Sequence, residues 1–263
     1  MKSYILSILL FSFSVFILGC KSSKPVAQQT NKAGDNILPI SYGEKRKLDV
    51  NFSEGIIQKL NGNYPEAIDK FQKCLDVYPN HAASLYEIGY IYSGGGKSQE
   101  AIQYALKAVS LDDKNEWYRM LLSKCYMETK KFEDASASFA KLVKLKPQNL
   151  DYYFLWSSAL LQAGKIKEAL EVYGKIEGMI GVSEDISFQK QRIYLSINQF
   201  DKAVVEAQKL IDSNPKEIRF RNMMAELYFQ NNKPDNAIAI CNDVFKIDTK
   251  DPHSHLLLAE YYE

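Results

Sequence analysis

Ala67, Ala101, Ala135, Ala169, Ala203 and Ala237 stand 34 residues apart without a slip. A period held this long restricts the chain to a repeat architecture, in which each unit buries its apolar side only against its neighbours. Other residues keep the period at other phases. Tyr92, Tyr126, Tyr194, Tyr228 and Tyr262 form one series, with Leu160 filling its gap; Pro79, Pro147 and Pro215, and Tyr64, Phe132 and Phe200, recur in alternate units. Segments such as 66–78 and 100–111 carry apolar residues at helical spacing, each after a short Gly, Asn or Lys turn, so every unit predicts two helices. The small Ala suits helices that approach within about 8–10 Å. The aromatic residues fill the space between units, and the prolines fall where one helix stops and the next begins. With 17 Tyr and 13 Phe against 13 Gly and 8 Pro, the composition favours packed helices over a disordered or loop-rich chain.

From about residue 48 onward the chain resembles the tetratricopeptide repeat (TPR) family. The first unit shows Gly55, Gly62, Tyr64, Ala67, Phe71 and Pro79 in that family's pattern, and the second shows Gly89, Tyr92, Gly96, Ala101 and Ala108. The resemblance implies an all-α fold, a right-handed α-solenoid of helix-turn-helix units at 48–81, 82–115, 116–149, 150–183, 184–217 and 218–251, with a seventh begun at 252–263. Two units depart from the pattern. The fourth lacks the closing Pro and has Gly178 and Gly181 near that turn; the sixth has Pro234 where an aromatic is usual. Pro252 opens the seventh, whose Leu256, Leu257, Leu258, Ala259, Tyr261 and Tyr262 form an apolar segment, so continuation of the native chain past 263 is the expectation.

The beginning of the chain is a different kind of segment. After Lys2, residues 5–18 form an uncharged, mostly apolar run that fits a secretory signal and is short for a membrane span, and residues 1–19 are expected to be removed. Ile17-Leu18-Gly19-Cys20 resembles the bacterial lipobox, which implies cleavage before Cys20 and its lipidation. Residues 20–47 are polar and carry no apolar period, so they are expected to form a flexible tether. Lys21 is not the Asp that marks retention in the inner membrane of Gram-negative lipoproteins, which places the expected anchor in the outer membrane, facing the periplasm.

Formal charge is +1, from 33 Lys and Arg against 32 Asp and Glu, so no basic excess is available to hold nucleic acid. Gly94-Gly95-Gly96-Lys97-Ser98 ends like a phosphate-binding loop, but the position of the required first Gly is Ile91 and the run lies between two predicted helices. Cys74, Cys125 and Cys241 fall at apolar phases and read as core residues. His81 stands alone, and His253 and His255 have no nucleophile or acid-base pair placed with them. The other carboxylates and lysines fall on outer helix faces, where solvation accounts for them. No enzyme, cofactor, metal or small-molecule substrate is expected.

In the resembled family the first helix of each unit lines a concave groove, and its second, fifth and ninth places face the ligand. By that phase the candidate partner-binding residues are Phe52, Tyr86, Tyr90, Trp117, Met120, Lys124, Phe154, Phe188 and Arg192. Packing of the same aromatics between units is the alternative. The Phe52/Ile56 and Tyr86/Tyr90 pairs lack the Lys and Asn with which family members clamp a terminal carboxylate, so the expected ligand is an apolar or aromatic segment of a protein or peptide. The implied function is a membrane-anchored scaffold of an envelope assembly or secretion system. The layout is like that of TPR lipoproteins in outer-membrane barrel assembly, pilus biogenesis and gliding. The alternatives are a docking regulator of envelope enzymes such as peptidoglycan hydrolases, or the non-catalytic part of a longer enzyme.

Overall fold

The computed structural model describes residues 40–262; the expected signal segment, Cys20 and the expected tether up to residue 39 lie outside the described residues. Helices α1 (Tyr42–Leu60) and α2 (Tyr64–Val77) form the first pair, followed by α3 (Ala82–Gly94) and α4 (Ser98–Leu111), then α5 (Glu116–Glu128) and α6 (Phe132–Leu145). Next come α7 (Leu150–Gln162) and α8 (Ile166–Ile180), α9 (Glu184–Ser196) and α10 (Phe200–Ser213), α11 (Ile218–Gln230) and α12 (Pro234–Phe245), and finally α13 (Pro252–Tyr262). Each helix packs on the one before it, and first helices also meet across units, α3 on α5 and α11 on α13. This is an α-solenoid, and among the described residues it contains no strand. None of its helices is long and apolar enough to cross a membrane.

The helix boundaries follow from caps that repeat with the sequence. The turn between the two helices of each unit needs one residue at positive φ, and the period places it at Gly62, Gly96, Lys130, Gly164, Asn198 and Asn232. Gly meets that demand without steric cost and Asn tolerates it, whereas Lys130 at φ 59° does neither. In several units a side chain caps the first helix at its N-terminus: Asn115 accepts from the amides of Trp117 and Tyr118, Asn149 from Asp151, and Ser183 from Ile186. In the fourth unit, where the closing Pro is missing, α8 runs on to Ile180 and is stopped by Gly181 at φ 80°. Pro234, in place of an aromatic, occupies the first turn of α12, where no amide donor is missed.

The expected tether boundary at residue 47 is corrected. Helix α1 begins at Tyr42, six residues earlier, because Ser41 and Glu44 form a reciprocal capping box: the Ser41 hydroxyl accepts from the Glu44 amide, and the Glu44 carboxylate accepts from the Ser41 amide at 2.8 Å. Solvent exposure of the segment explains why no apolar period announced it; only Leu48 is buried between residues 42 and 50.

Ala67, Ala101, Ala135, Ala169, Ala203 and Ala237 are fully buried between paired helices. Gly55 shows how tight that approach is, since a Cβ there would sit 2.6 Å from the Phe71 ring. The apolar core is continuous through the first four units, because neighbouring clusters share aromatic residues: Tyr86 and Tyr92 belong to the first two, and Tyr126 links the second to the third. The cluster that ends at Ile193 and the one that begins with Phe188 and Ala203 share no member, although α9 contributes to both from opposite faces.

That break is filled with charge. Lys190 on α9, whose side chain is only 6% exposed, meets Glu177 of α8 at 2.8 Å and Glu206 of α10 at 2.7 Å. Lys209 of α10 lies 3.0 Å from Glu177 and 3.2 Å from Glu206, so two cations and two anions close a ring. The expectation that the charged residues are all solvated is thus corrected: these four bridge three helices, and burial is tolerable because each charge has two partners.

Candidate functional site

One groove gathers a large part of the predicted stripe. It has a volume of about 660 Å³ and is lined by the entry of α2, by α3 from Tyr86 onward with the turn that follows it, and by α5 from Trp117 to Lys124. Of the residues named from the sequence, Tyr86, Tyr90, Trp117, Met120 and Lys124 line it. Two of its rings stand together, Tyr86 lying 6.0 Å from Tyr90 by ring centroids, and Tyr118, outside the lining, packs on Tyr86 at 5.2 Å. Burial pushes the Tyr86 hydroxyl, and that of Tyr118 beside it, above the ordinary value, so both rings stay neutral. Trp117 at 64% and Tyr90 at 51% are far more exposed than aromatic residues that only pack between units.

Around the rings stand lysines. The Lys59 ammonium sits 5.3 Å from the Tyr90 centroid and pairs with Glu87 at 2.6 Å. Lys97 lies 6.0 Å from the Tyr92 centroid. Lys124 reaches Glu128 only at 3.6 Å, while the other oxygen of Glu128 accepts from the Ser93 and Ser98 hydroxyls.

The other predicted groove residues lie elsewhere. Phe52 is half-buried, its ring 5.6 Å from Phe71 and 5.2 Å from His81, so it packs within the first unit. Phe154 on α7 is partly exposed, Phe188 packs against the α10–α11 cluster, and Arg192 is exposed on α9. Conversely, Tyr64, Pro65, Ile68 and Tyr92 line the groove and were absent from the expected set. The phase rule considered only first helices, and Tyr64 and Pro65 open a second helix. The recurrence of an aromatic at position 64 was the available signal.

The tempting sites resolve into structural roles. Gly95 caps α3, Gly96 takes φ 75° and Ser98 begins α4, so the glycine run is the ordinary turn of its unit. Cys74, Cys125 and Cys241 are buried free thiols, and burial pushes each thiol up. His81 bonds the Ser84 hydroxyl at 2.7 Å, His253 faces Glu226 at 2.7 Å, and His255 turns away to the Thr249 carbonyl at 3.1 Å. Among the described residues no group of three or more His, Cys, Asp or Glu is placed to hold a metal ion.

Comparison with known proteins agrees with this fold. Family models described as tetratricopeptide repeat match residues 59–116 and 194–261, and the model for anaphase-promoting complex, cyclosome, subunit 3 matches 94–176. General transcription factor 3C polypeptide 3 of Homo sapiens is 26% identical over 204 residues, which cover 72% of this chain and 22% of that one. BBSome complex member BBS4 of Bos taurus is 26% identical over 152 residues, 58% of this chain and 29% of that one. The chain therefore spans less than a third of the length of these curated relatives. A tetratricopeptide repeat protein from Parabacteroides merdae ATCC 43184 matches in fold with a TM-score of 0.54 and 20% identity, over 82% of this chain and 88% of that structure. Helix pairing, the 34-residue turn and cap chemistry and the matched models together make this chain a member of the tetratricopeptide repeat family.

Proposed function

We propose that the protein is a lipid-anchored binding scaffold whose groove between α2, α3 and α5 receives an apolar segment of a protein partner. The single observation that carries the binding site is the exposed aromatic lining, Tyr90 and Trp117 above all, set on rigid helices around a volume of about 660 Å³. Rings of this kind lose little entropy on binding and dominate interface energies, so a groove lined with exposed ones is a surface suited to contact. The anchor rests on the sequence at Leu18-Gly19-Cys20, and the place in an outer-membrane assembly facing the periplasm rests on Lys21.

Two measurements test the two halves separately. Cys20→Ser should release the protein from the membrane fraction, and a variant that stays with the membrane removes the proposed anchor. Trp117→Ala and Tyr90→Ala should reduce recovery of the partner from native membranes by about tenfold or more while circular dichroism stays unchanged. Loss of helicity in both variants would show the rings to be packing residues.

A further inference from the structure

Helix α1 is 19 residues long, against 13 for the first helix of each of the next five units. The additional residues, 42–47, lengthen its start by about 9 Å, and all of them are exposed. The packed side of α1 is narrow, since only Leu48 and Gly55 are buried. At about 100° per residue, the side turned away from those two carries Tyr42, Arg46, Val50, Ser53, Ile57 and Leu60. All six are exposed, Tyr42 at 86% and Leu60 at 77%. Every later first helix has the second helix of the preceding unit against it, and among the described residues α1 has no such neighbour. Residues 21–39 are polar and show no apolar period that would supply one.

Charge points to what covers this face. Arg46 stands within the apolar stripe, and Lys45 and Lys47 flank it. The ion pairs of the first unit use Lys59, Lys70 and Lys73 and, among the described residues, leave these three cations out. Of the nearby carboxylates, Glu44 bonds back to the Ser41 amide and Glu54 holds Lys70, which leaves Asp49 at the edge of the stripe. A helix with an apolar stripe and basic residues along it suits the interface of an anionic bilayer, where Tyr is also favoured. A second copy would bring the same positive face, which like charge disfavours. Distance fits as well. Residues 21–41 are all that separates Cys20 from Tyr42, so a bilayer holding that cysteine stays within about 75 Å of α1.

Resting on the lipid anchor proposed above, we propose that the outward face of α1 lies on the anionic phospholipid surface to which the chain is tethered. Tyr42, Val50, Ile57 and Leu60 enter the headgroup region, and Lys45, Arg46 and Lys47 meet the lipid phosphates. The first unit is then held against the membrane and the later units extend beyond it.

The test uses the full processed chain reconstituted into vesicles of phosphatidylethanolamine and phosphatidylglycerol. Ser53→Cys labelled with bimane reports contact through quenching by nitroxides on lipid headgroups, and Lys167→Cys, exposed on α8, serves as the control. Cys74, Cys125 and Cys241 are buried and should stay unlabelled. The label at Ser53 should be quenched and the label at Lys167 should not. Replacing Lys45, Arg46 and Lys47 together by Gln should lower the bound-to-free ratio about 100-fold, each cation near the surface being worth about fivefold. Phosphatidylcholine alone, or high salt, should weaken the contact in the same direction, and Ile57→Ser with Leu60→Ser should abolish it. These positions are exposed, so the variants should keep their circular dichroism. Flotation with the vesicles reads the anchor separately. A chain that floats while Ser53 stays unquenched overturns the contact and leaves the anchor standing; a chain that does not float removes the anchor and the contact with it. Equal quenching at Ser53 and Lys167 would overturn the assigned face. A dimer in sedimentation that Ile57→Ser with Leu60→Ser abolishes would give the face to a second copy instead.

Discussion

Gly43 and Gly55 occupy the same helix, yet a methyl group should have opposite effects at the two positions. A Cβ on Gly43 meets nothing within 4 Å, whereas on Gly55 it would sit 2.6 Å from a fully buried phenylalanine ring. Gly43→Ala should therefore raise stability by about 0.5–1 kcal/mol through helix propensity. Gly55→Ala should lower it by about 1–3 kcal/mol, because Phe71 is enclosed and cannot swing away. Urea unfolding of the two variants beside the parent checks both signs. Lys130 offers the reverse case: it holds the left-handed conformation that Gly62, Gly96 and Gly164 hold in their own units. Relieving it with Lys130→Gly should gain about 0.5–1 kcal/mol, the steric relief exceeding the added unfolded-state entropy. At this scale the sequence was legible wherever a position admits only one kind of residue, as with the six alanines. It was illegible where a residue performs a role against its type, as Lys130 does.

Among the elements, α9 is the one whose sequence conceals its role. Lys190 falls in a helix rich in polar residues, and nothing in its spacing separates it from a solvated lysine; only the meeting of α8 and α10 around it makes the difference. Replacing it with Ala leaves Glu177 and Glu206 buried without that partner, and should cost about 3–5 kcal/mol. The double change Lys190→Met with Glu206→Met should cost much less, since Glu177 keeps Lys209; a double-mutant cycle showing no coupling would contradict the ring of charges. The ring also sets an acid limit. Burial pushes the Glu177 carboxyl up, but hydrogen bonds from Lys190 and Lys209 outweigh it and hold the group below its ordinary 4.5. A depressed folded value contributes stability above the unfolded value and loses it as pH falls through the folded one. Thermal melts should therefore weaken below about pH 4.5, and Glu177→Gln should be less stable at pH 7 but flatter across that range. The groove was half legible by the same logic. Phase along first helices located Tyr86 through Lys124, but the contribution of α2 depends on how units stack, which no single-helix period records.

Across the array, each unit touches only its neighbours, so stability is a sum of local terms joined by interfaces. The apolar clusters are chained by shared aromatics from α1 to α8, and that chain stops at α9. The clusters on the two sides of α9 share no apolar residue, so this joint is expected to transmit less of the cooperativity that shared apolar contact provides. The molecule should then behave as two foldons in native-state hydrogen exchange. The amides of α10–α12 should open at a lower free energy than those of α3–α7, and one common opening energy throughout would count against the division. A peptide seated between α3 and α5 at a hundred times its dissociation constant should stabilise the first foldon by about 2.7 kcal/mol and leave exchange in α10–α12 unchanged. The polar joint would thus act as a thermodynamic insulator: occupancy at one end of the solenoid stays a private matter of that end, and the remaining units keep their own freedom to open, close or engage something else.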